Sequence, residues 1–299
     1  MNKLQNGPIF IGGDNRSGTT LLSTILDSHS ELVIGPELDF MQPINLGSYI
    51  SLCCNLLLDH DPRVVDKGVE AATGFKYGVQ FVKQCHRFGI GFADLRDLVE
   101  GMVRKHGELI EFEQRLEVIN RLGEQRTTAT NSARWGIKIQ TDIVKVEHYL
   151  EFWPEAQFIH LIRDGRDVAA SHLSNSNIFP YKNIEQAAKG WSSILHVMAG
   201  YKDDPSIFEL KYESLVQHTT DQLRDLVAFL NIAWQDSFLN HAALDHTLFN
   251  NPYLHPSVEK VKKRINSASI GRYKKDLTQE QLVQFQVIAG AQLQAHGYQ

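Results

Sequence analysis

The chain has 299 residues, with 30 Lys and Arg against 35 Asp and Glu, a net charge of −5, 42% hydrophobic residues and 22% charged ones. That composition excludes a disordered chain, and the acidity argues against a general nucleic-acid or membrane-surface binder while leaving room for a local basic site. The length suits one large α/β domain or two small ones.

Met1 to Pro8 is too polar for a signal peptide. No uncharged apolar run reaches the ~18–20 residues of a membrane span. The longest run stops at Asp59-His60-Asp61. Cys53, Cys54 and Cys85 are odd in number and two are adjacent, a poor disulfide framework that fits a reducing, cytoplasmic setting. Burial is expected for Cys85.

Ile9-Phe10-Ile11, ended by Gly12-Gly13, suits a buried strand. Leu21, Leu22, Ile25 and Leu26 then mark a helical face, so the chain opens strand, glycine loop, helix. The stretch from Arg63 to Leu122 reads as helices, with Leu95, Leu98, Val99 and Met102 at helical spacing. The apolar run from Leu52 to Leu58 reads as helical core, with an acceptor-pocket wall as the alternative. Further strands are expected at residues 135–139, 158–162 and 207–210, and helices at 144–152, after Asp164-Gly165, and around Leu223, Leu226, Val227 and Leu230. Strands separated by helices predict an α/β fold, a parallel sheet with flanking helices. No linker, repeat or low-complexity stretch divides the chain, so one domain over residues 1–299 is expected, with a helical insertion at about 42–130.

Gly13-Asp14-Asn15-Arg16-Ser17-Gly18-Thr19-Thr20 has the spacing of a phosphate-binding loop. Its glycines let backbone N–H groups point inward, and the helix start adds partial positive charge. The triphosphate version has Lys after the second Gly; here that position is Thr19, and Arg16 supplies the cation instead. An ordinary ATPase or GTPase is therefore disfavoured. A second anion site is expected at Arg163-Asp164-Gly165-Arg166-Asp167-Val168-Ala169-Ala170-Ser171, because Arg163 sits at a strand's carboxyl end, where open α/β sheets place ligand groups. The bland alternative is a solvated helix start with an Arg–Asp pair. Two anion sites imply a ligand with two separated phosphate-like groups.

These segments resemble the sulfotransferases that use 3′-phosphoadenylyl sulfate (PAPS), nearest the tyrosylprotein-sulfotransferase-like branch and its bacterial relatives. The likeness extends through Leu26-Asp27-Ser28-His29, Gly35 with Glu37, Trp135 to Lys138, Tyr212 to Val216 and Phe229 to Trp234, and is weak between Gln42 and Arg134. It implies a P-loop-like fold and PAPS as co-substrate, with no metal required. Arg16, Ser17, Gly18, Thr19 and Thr20 would hold the 5′ phosphosulfate. Arg163 and Ser171 would hold the 3′-phosphate, with Tyr212 near the nucleotide and Arg272 reaching it from the tail. Glu37 falls at the catalytic base and Lys138 at a catalytic lysine, with Arg16 on the transferred group.

The departures bear on the acceptor. Asn15 replaces a proline, and Pro36 stands where the branch has a glutamate. Asp39 stands where it has an arginine that helps hold an acidic peptide, and Ile34 and Gly136 where Golgi members have cysteines. The expected function is sulfation of a hydroxyl on a small-molecule or glycan acceptor. Alternatives are tyrosylprotein-type sulfation of a peptide, an atypical P-loop kinase, and a non-catalytic nucleotide binder. No nucleic-acid partner is expected, and a homodimer is implied by the resemblance alone. His29 is a rival base, with a core or cap role as its bland reading. Lys260-Val261-Lys262-Lys263-Arg264 reads as a solvated flank or a cover over the nucleotide.

Overall fold

The computed structural model describes residues 7–38, 47–59, 76–109, 111–174, 180–250 and 257–298. Its parallel sheet contains β1 (Ile9–Gly12), β2 (Leu32–Glu37), β3 (Arg134–Gln140), β4 (Gln157–Ile162) and β5 (Ile207–Lys211), in the spatial order β2-β3-β1-β4-β5. β1 lies at the centre and every residue in it is buried, so it reads as an apolar run without alternation.

Helix α1 (Thr19–Leu26) follows β1. Between β2 and β3 come α2 (Gly47–Asp59), α3 (Lys76–Arg87), α4 (Phe92–His106) and α5 (Phe112–Thr130). A 3-10 turn at Thr141–Lys145 and α6 (Val146–Phe152) lead to β4. Helices α7 (Gly165–Leu173) and α8 (Ile184–Met198) lead to β5. After β5 come α9 (Tyr212–Gln217) and α10 (Thr219–Leu230), and the last long helix is α11 (Gln279–Ala295).

Two apolar layers cover the sheet. Phe10, Val33, Ile137 and Phe158 pack on one face with Cys53, Cys85, Leu95, Leu116 and Leu122, so the inserted helices share this sheet's core. Ile9, Ile11, Ile34, Ile159 and Leu161 pack on the other with α1 and α10. A third group joins α7, α8 and α11 around Trp191 and Phe285. Cys53, Cys54 and Cys85 are free and buried, and burial pushes the Cys53 thiol up to about 11. Among the described residues no helix is long and apolar enough to cross a membrane.

The sheet has a strand that local pattern does not reveal. β2 contains Gly35-Pro36, which reads as a turn. It sits at the sheet edge, and its register against β3 shifts between Gly35 and Glu37, leaving Pro36 outside the ladder. Ile34 and Gly136, where the resemblance places cysteines, are register partners. A Cβ on Gly136 would lie 2.9 Å from Ile34 Cδ1, so the isoleucine fills that space.

Gly123 of α5 lies against Trp135, and a Cβ there would overlap the indole. Gly123→Ala is expected to destabilise the protein by about 1–3 kcal/mol despite better helix propensity, read as a lower Tm. An unchanged Tm would mean that α5 can slide away from β3 at no cost.

Candidate active site

The carboxyl ends of all five strands open onto a cavity of about 490 Å³, the position where open α/β sheets bind ligands. β1 runs into the phosphate loop. Glu37 ends β2, Gln140 ends β3, Arg163 follows β4 and Tyr212 follows β5. The far wall comes from residues 257–272 and includes Lys260, Lys263, Arg264 and Arg272. Among the described residues six cationic side chains line the cavity (these four with Arg16 and Arg163) against one carboxylate, Glu37.

The loop bends through left-handed backbone at Gly13 (φ 140), Arg16 (φ 75) and Gly18 (φ 105). A Cβ on Gly18 would meet the Tyr212 ring at 2.6 Å, so the close approach of loop and ring needs glycine. Gly18 caps α1 without a side-chain hydrogen bond, which leaves the first N–H groups of the helix for an anion.

The two anion segments meet directly. Arg16 Nε donates to Ser171 Oγ at 3.1 Å, and Arg163 Nη1 donates to the Arg16 carbonyl at 3.1 Å. Arg163 Nη2 donates to the Ser269 carbonyl, and the guanidinium lies 4.6 Å from the Tyr212 ring centroid. Its buried Nε has no hydrogen-bond partner among the described residues. Burial, then Arg163 and Arg272, pull Arg16 below the usual arginine range. Burial, then Arg16, Arg272, Arg163 and Lys263, do the same to Lys260. Cations that crowd one another in this way favour a bound polyanion, and the donor set fits two phosphate-type groups.

Of the residues singled out from sequence, Arg16, Gly18, Thr19, Thr20, Glu37, Arg163, Ser171, Tyr212 and Arg272 line the cavity. Ser17 and Lys138 do not. Ser17 is buried, its N–H bonded to the Asp14 carbonyl. Lys138 is 1% exposed, and its Nζ donates to Thr20 Oγ1 at 3.1 Å. That bond leaves the Thr20 hydroxyl proton free for an anion in the cavity. Burial pulls the Lys138 ammonium down to about 8, helped by Arg87 and Arg16 and opposed by Glu37. Burial pushes Glu37 above the usual carboxylate range, against the pull of Lys138 and a Gln140 hydrogen bond.

Of the bland reading of the Arg163 segment, the Arg–Asp pair is present, but the helix start is buried and not solvated. Arg166 pairs bidentately with Asp164, at 3.0 and 2.8 Å. Asp167, fully buried, accepts from the Gly271 and Tyr273 amides and so docks the tail that carries Arg272. His29 is structural: Nδ1 accepts from the Glu31 amide and Nε2 lies 2.9 Å from the Ala233 carbonyl. Lys260, Lys263 and Arg264 border the cavity and are exposed to solvent at the same time. Asp39 lies outside the described residues, as do 60–75, including the start of the predicted helical stretch.

Asp14 carries a consequence its loop position does not announce. It is 3% exposed; Tyr181 donates to Oδ1 at 3.2 Å, and Oδ2 has no partner among the described residues. Burial pushes this carboxyl from 3.8 up to about 7, while burial holds neighbouring His172 down to about 4. The folded state therefore binds the Asp14 proton more tightly than the unfolded chain does. Stability is lost as pH rises from the unfolded value to the folded one, by something on the order of 4 kcal/mol in total. Asp14→Asn keeps the Tyr181 acceptor and removes the charge. Its Tm is expected to exceed wild type at pH 8 and to match it near pH 4, a comparison read by thermal melts across that range.

The sulfotransferase family model matches residues 8–236. Protein-tyrosine sulfotransferase A of Caenorhabditis elegans is 22% identical over 242 residues, covering 79% of this chain and 53% of the relative. The chain spans about half the length of the curated relatives it matches. Among solved structures, the sulfotransferase domain from the Synechococcus PCC 7002 olefin synthase superposes with a TM-score of 0.59 at 16% identity, covering 95% of this chain and 96% of that one. A mouse sulfotransferase solved with PAP superposes with a TM-score of 0.53 at 13% identity, covering 97% of this chain and 84% of that one. The structural likenesses agree in fold, the family match spans most of the sequence, and the chain belongs to the sulfotransferase family.

Proposed function

We propose that this protein transfers the sulfuryl group of PAPS to a hydroxyl on a small-molecule or glycan acceptor. The observation that carries the reading is the junction of the two anion segments, Arg16 to Ser171 and Arg163 to Arg16, on one cation-lined wall. PAPS, when bound, supplies a sulfuryl group joined to a good leaving group. Arg16 and the amides at the start of α1 would hold its 5′ end. Arg163 and Ser171 would hold the 3′-phosphate, with Tyr212 beside them. Glu37 would take the proton of the acceptor hydroxyl, a task suited to a carboxylate whose pKa burial has raised toward the working pH. Lys138 would act through Thr20, orienting its hydroxyl toward the charge that builds up on transfer. Three buried free thiols support a reducing, cytoplasmic setting for this reaction.

Calorimetry with 3′-phosphoadenosine 5′-phosphate (PAP), beside ADP and ATP, each with and without magnesium, tests the donor. Metal-independent binding that requires the 3′-phosphate is expected. Preference for magnesium-ATP would replace this reading with the kinase one. A second acceptor reading, a tyrosine in a peptide, is favoured by the names of the curated relatives. Turnover of PAPS over a panel of simple alcohols, sugars, phenols and tyrosine peptides separates the two, and turnover confined to the peptides would overturn the small-molecule acceptor.

A further inference from the structure

Strands β4 and β5 end together. Their last register pair is Ile162 with Lys211, so Arg163 and Tyr212 are the first residues past the ladder and Asp164 and Glu213 the second. Arg163 and Tyr212 face each other in the cavity wall, the guanidinium 4.6 Å from the ring centroid. Asp164 is the N-cap of α7. Its own carboxylate accepts the Arg166 amide, and its N–H belongs to neither the ladder nor the helix. Glu213 supplies the acceptor: the Asp164 N–H donates to Glu213 Oε1 at 3.0 Å. A side chain thereby extends the β4–β5 pairing by one rung, at the point where the cavity wall begins. The other carboxylate oxygen, Oε2, accepts from the Tyr298 hydroxyl at 3.0 Å.

The sequence explains how Tyr298 arrives there. Gly297 is left-handed (φ 74) and ends α11; its N–H donates to the Gln294 carbonyl, and the Tyr298 N–H donates to the Leu293 carbonyl at 2.8 Å. Lys211 Nζ fastens this turn to the end of β5 by donating to the His296 carbonyl at 2.7 Å. Both oxygens of Glu213 are therefore engaged, one by the β4 side and one by the tail. Neither Glu213 nor Tyr298 lines the cavity. We propose that Glu213 is a positioning residue for the 3′-phosphate site: it ties the backbone after Arg163 to the backbone after Tyr212, and Tyr298 holds it in the orientation that does so. The inference rests on the sulfotransferase reading for the meaning of the 3′-phosphate; its physical content is the two hydrogen bonds on Glu213.

Glu213→Ala removes both bonds and leaves every cavity side chain in place. PAP affinity is expected to fall about tenfold, the range for a hydrogen bond to a charged acceptor, with ADP affinity within about twofold of wild type. Glu213→Gln keeps an acceptor for the Asp164 amide and should recover most of the preference for PAP over ADP. Tyr298→Phe keeps the ring, which lies 6.4 Å from that of Trp191, and deletes only the hydroxyl; the preference should fall by a smaller factor, about two- to fivefold. This milder variant carries the test should Glu213→Ala fold poorly. In an Arg163→Ala background, Glu213→Ala should cost PAP little more, because its effect passes through Arg163.

Equal losses for PAP and ADP, a preference unchanged in both Glu213→Ala and Tyr298→Phe, or losses that add to those of Arg163→Ala would each overturn the proposal. Hydrogen exchange at the Asp164 amide, read by NMR, reports the same tie without nucleotide. Faster exchange in Glu213→Ala, restored in Glu213→Gln, supports the proposal, and an unmoved rate overturns it. Should wild-type protein bind no PAP, the sulfotransferase reading falls, and the exchange rate still decides whether Glu213 holds the backbone beside Arg163.

Discussion

Glu37→Gln is expected to lower kcat by a factor of about 10²–10⁴, the range for losing a general base, with PAP affinity within about threefold of wild type. Glutamine preserves the shape at the end of β2 and cannot take a proton. Loss of fold does not confound the result. The Glu37 carboxyl lies above its ordinary range because of burial, so its ionisation costs stability as pH rises from the unfolded pKa through the folded one. Glutamine removes that cost, and its Tm at neutral pH should equal or exceed wild type.

The pH profile supplies the second half of this test. In the proposed reaction Glu37 must be ionised, so kcat/KM of wild type should rise through a midpoint above the usual carboxylate range. The same proposal requires Lys138 charged, so kcat/KM should fall above about 8, where burial has brought the ammonium. Glu37→Gln should abolish the acid limb and keep the alkaline one. An acid limb that survives in the variant would assign the base to another group.

Arg163→Ala is expected to weaken PAP by about 100-fold or more, from the loss of charge-assisted hydrogen bonds worth about 1.5–3 kcal/mol each. ADP, which has no 3′-phosphate, should lose far less, so the preference for PAP over ADP collapses. That ratio is the diagnostic, because Arg163 also ties the phosphate loop to Ser269 and stacks on Tyr212. A fall in Tm is expected as well, since the fully buried Asp167 loses the cation 3.6 Å away. Arg163→Lys retains the charge without the planar fork and should recover part of the affinity. Equal losses for PAP and ADP would show that Arg163 holds the wall together without reading the 3′-phosphate.

Much of this architecture is legible in short windows of sequence. The runs at Ile9 and Phe158 are strands because a buried central strand is apolar throughout, and the glycine spacing after β1 marks an anion loop. Arg163 falls at a strand end by counting alone. The periodicity at Leu95, Val99 and Met102 likewise gives the buried stripe of α4. β2 escapes such reading because Gly35-Pro36 imitates a turn, and an edge position is what makes a proline there acceptable. Lys138 reads as a residue of the site from its place in the motif. Its side chain nonetheless stops behind Thr20, a fact about packing between β3 and α1.

The sequence by itself therefore determined the parallel α/β class, the two anion segments and the identity of the charged groups. These depend on covalent spacing and apolar periodicity, which are local. Only the tertiary structure decided how those groups behave. Arg16 and Ser171 are 155 positions apart and share a hydrogen bond. Asp14 looks like any loop acid until packing buries it and pushes it up to about 7. Gln140 carries no signal in the chain, because its hydrogen bond to Thr19 joins the end of β3 to the start of α1. Burial and pairing are properties of the space between elements, and that space exists once the strands have aligned their carboxyl ends.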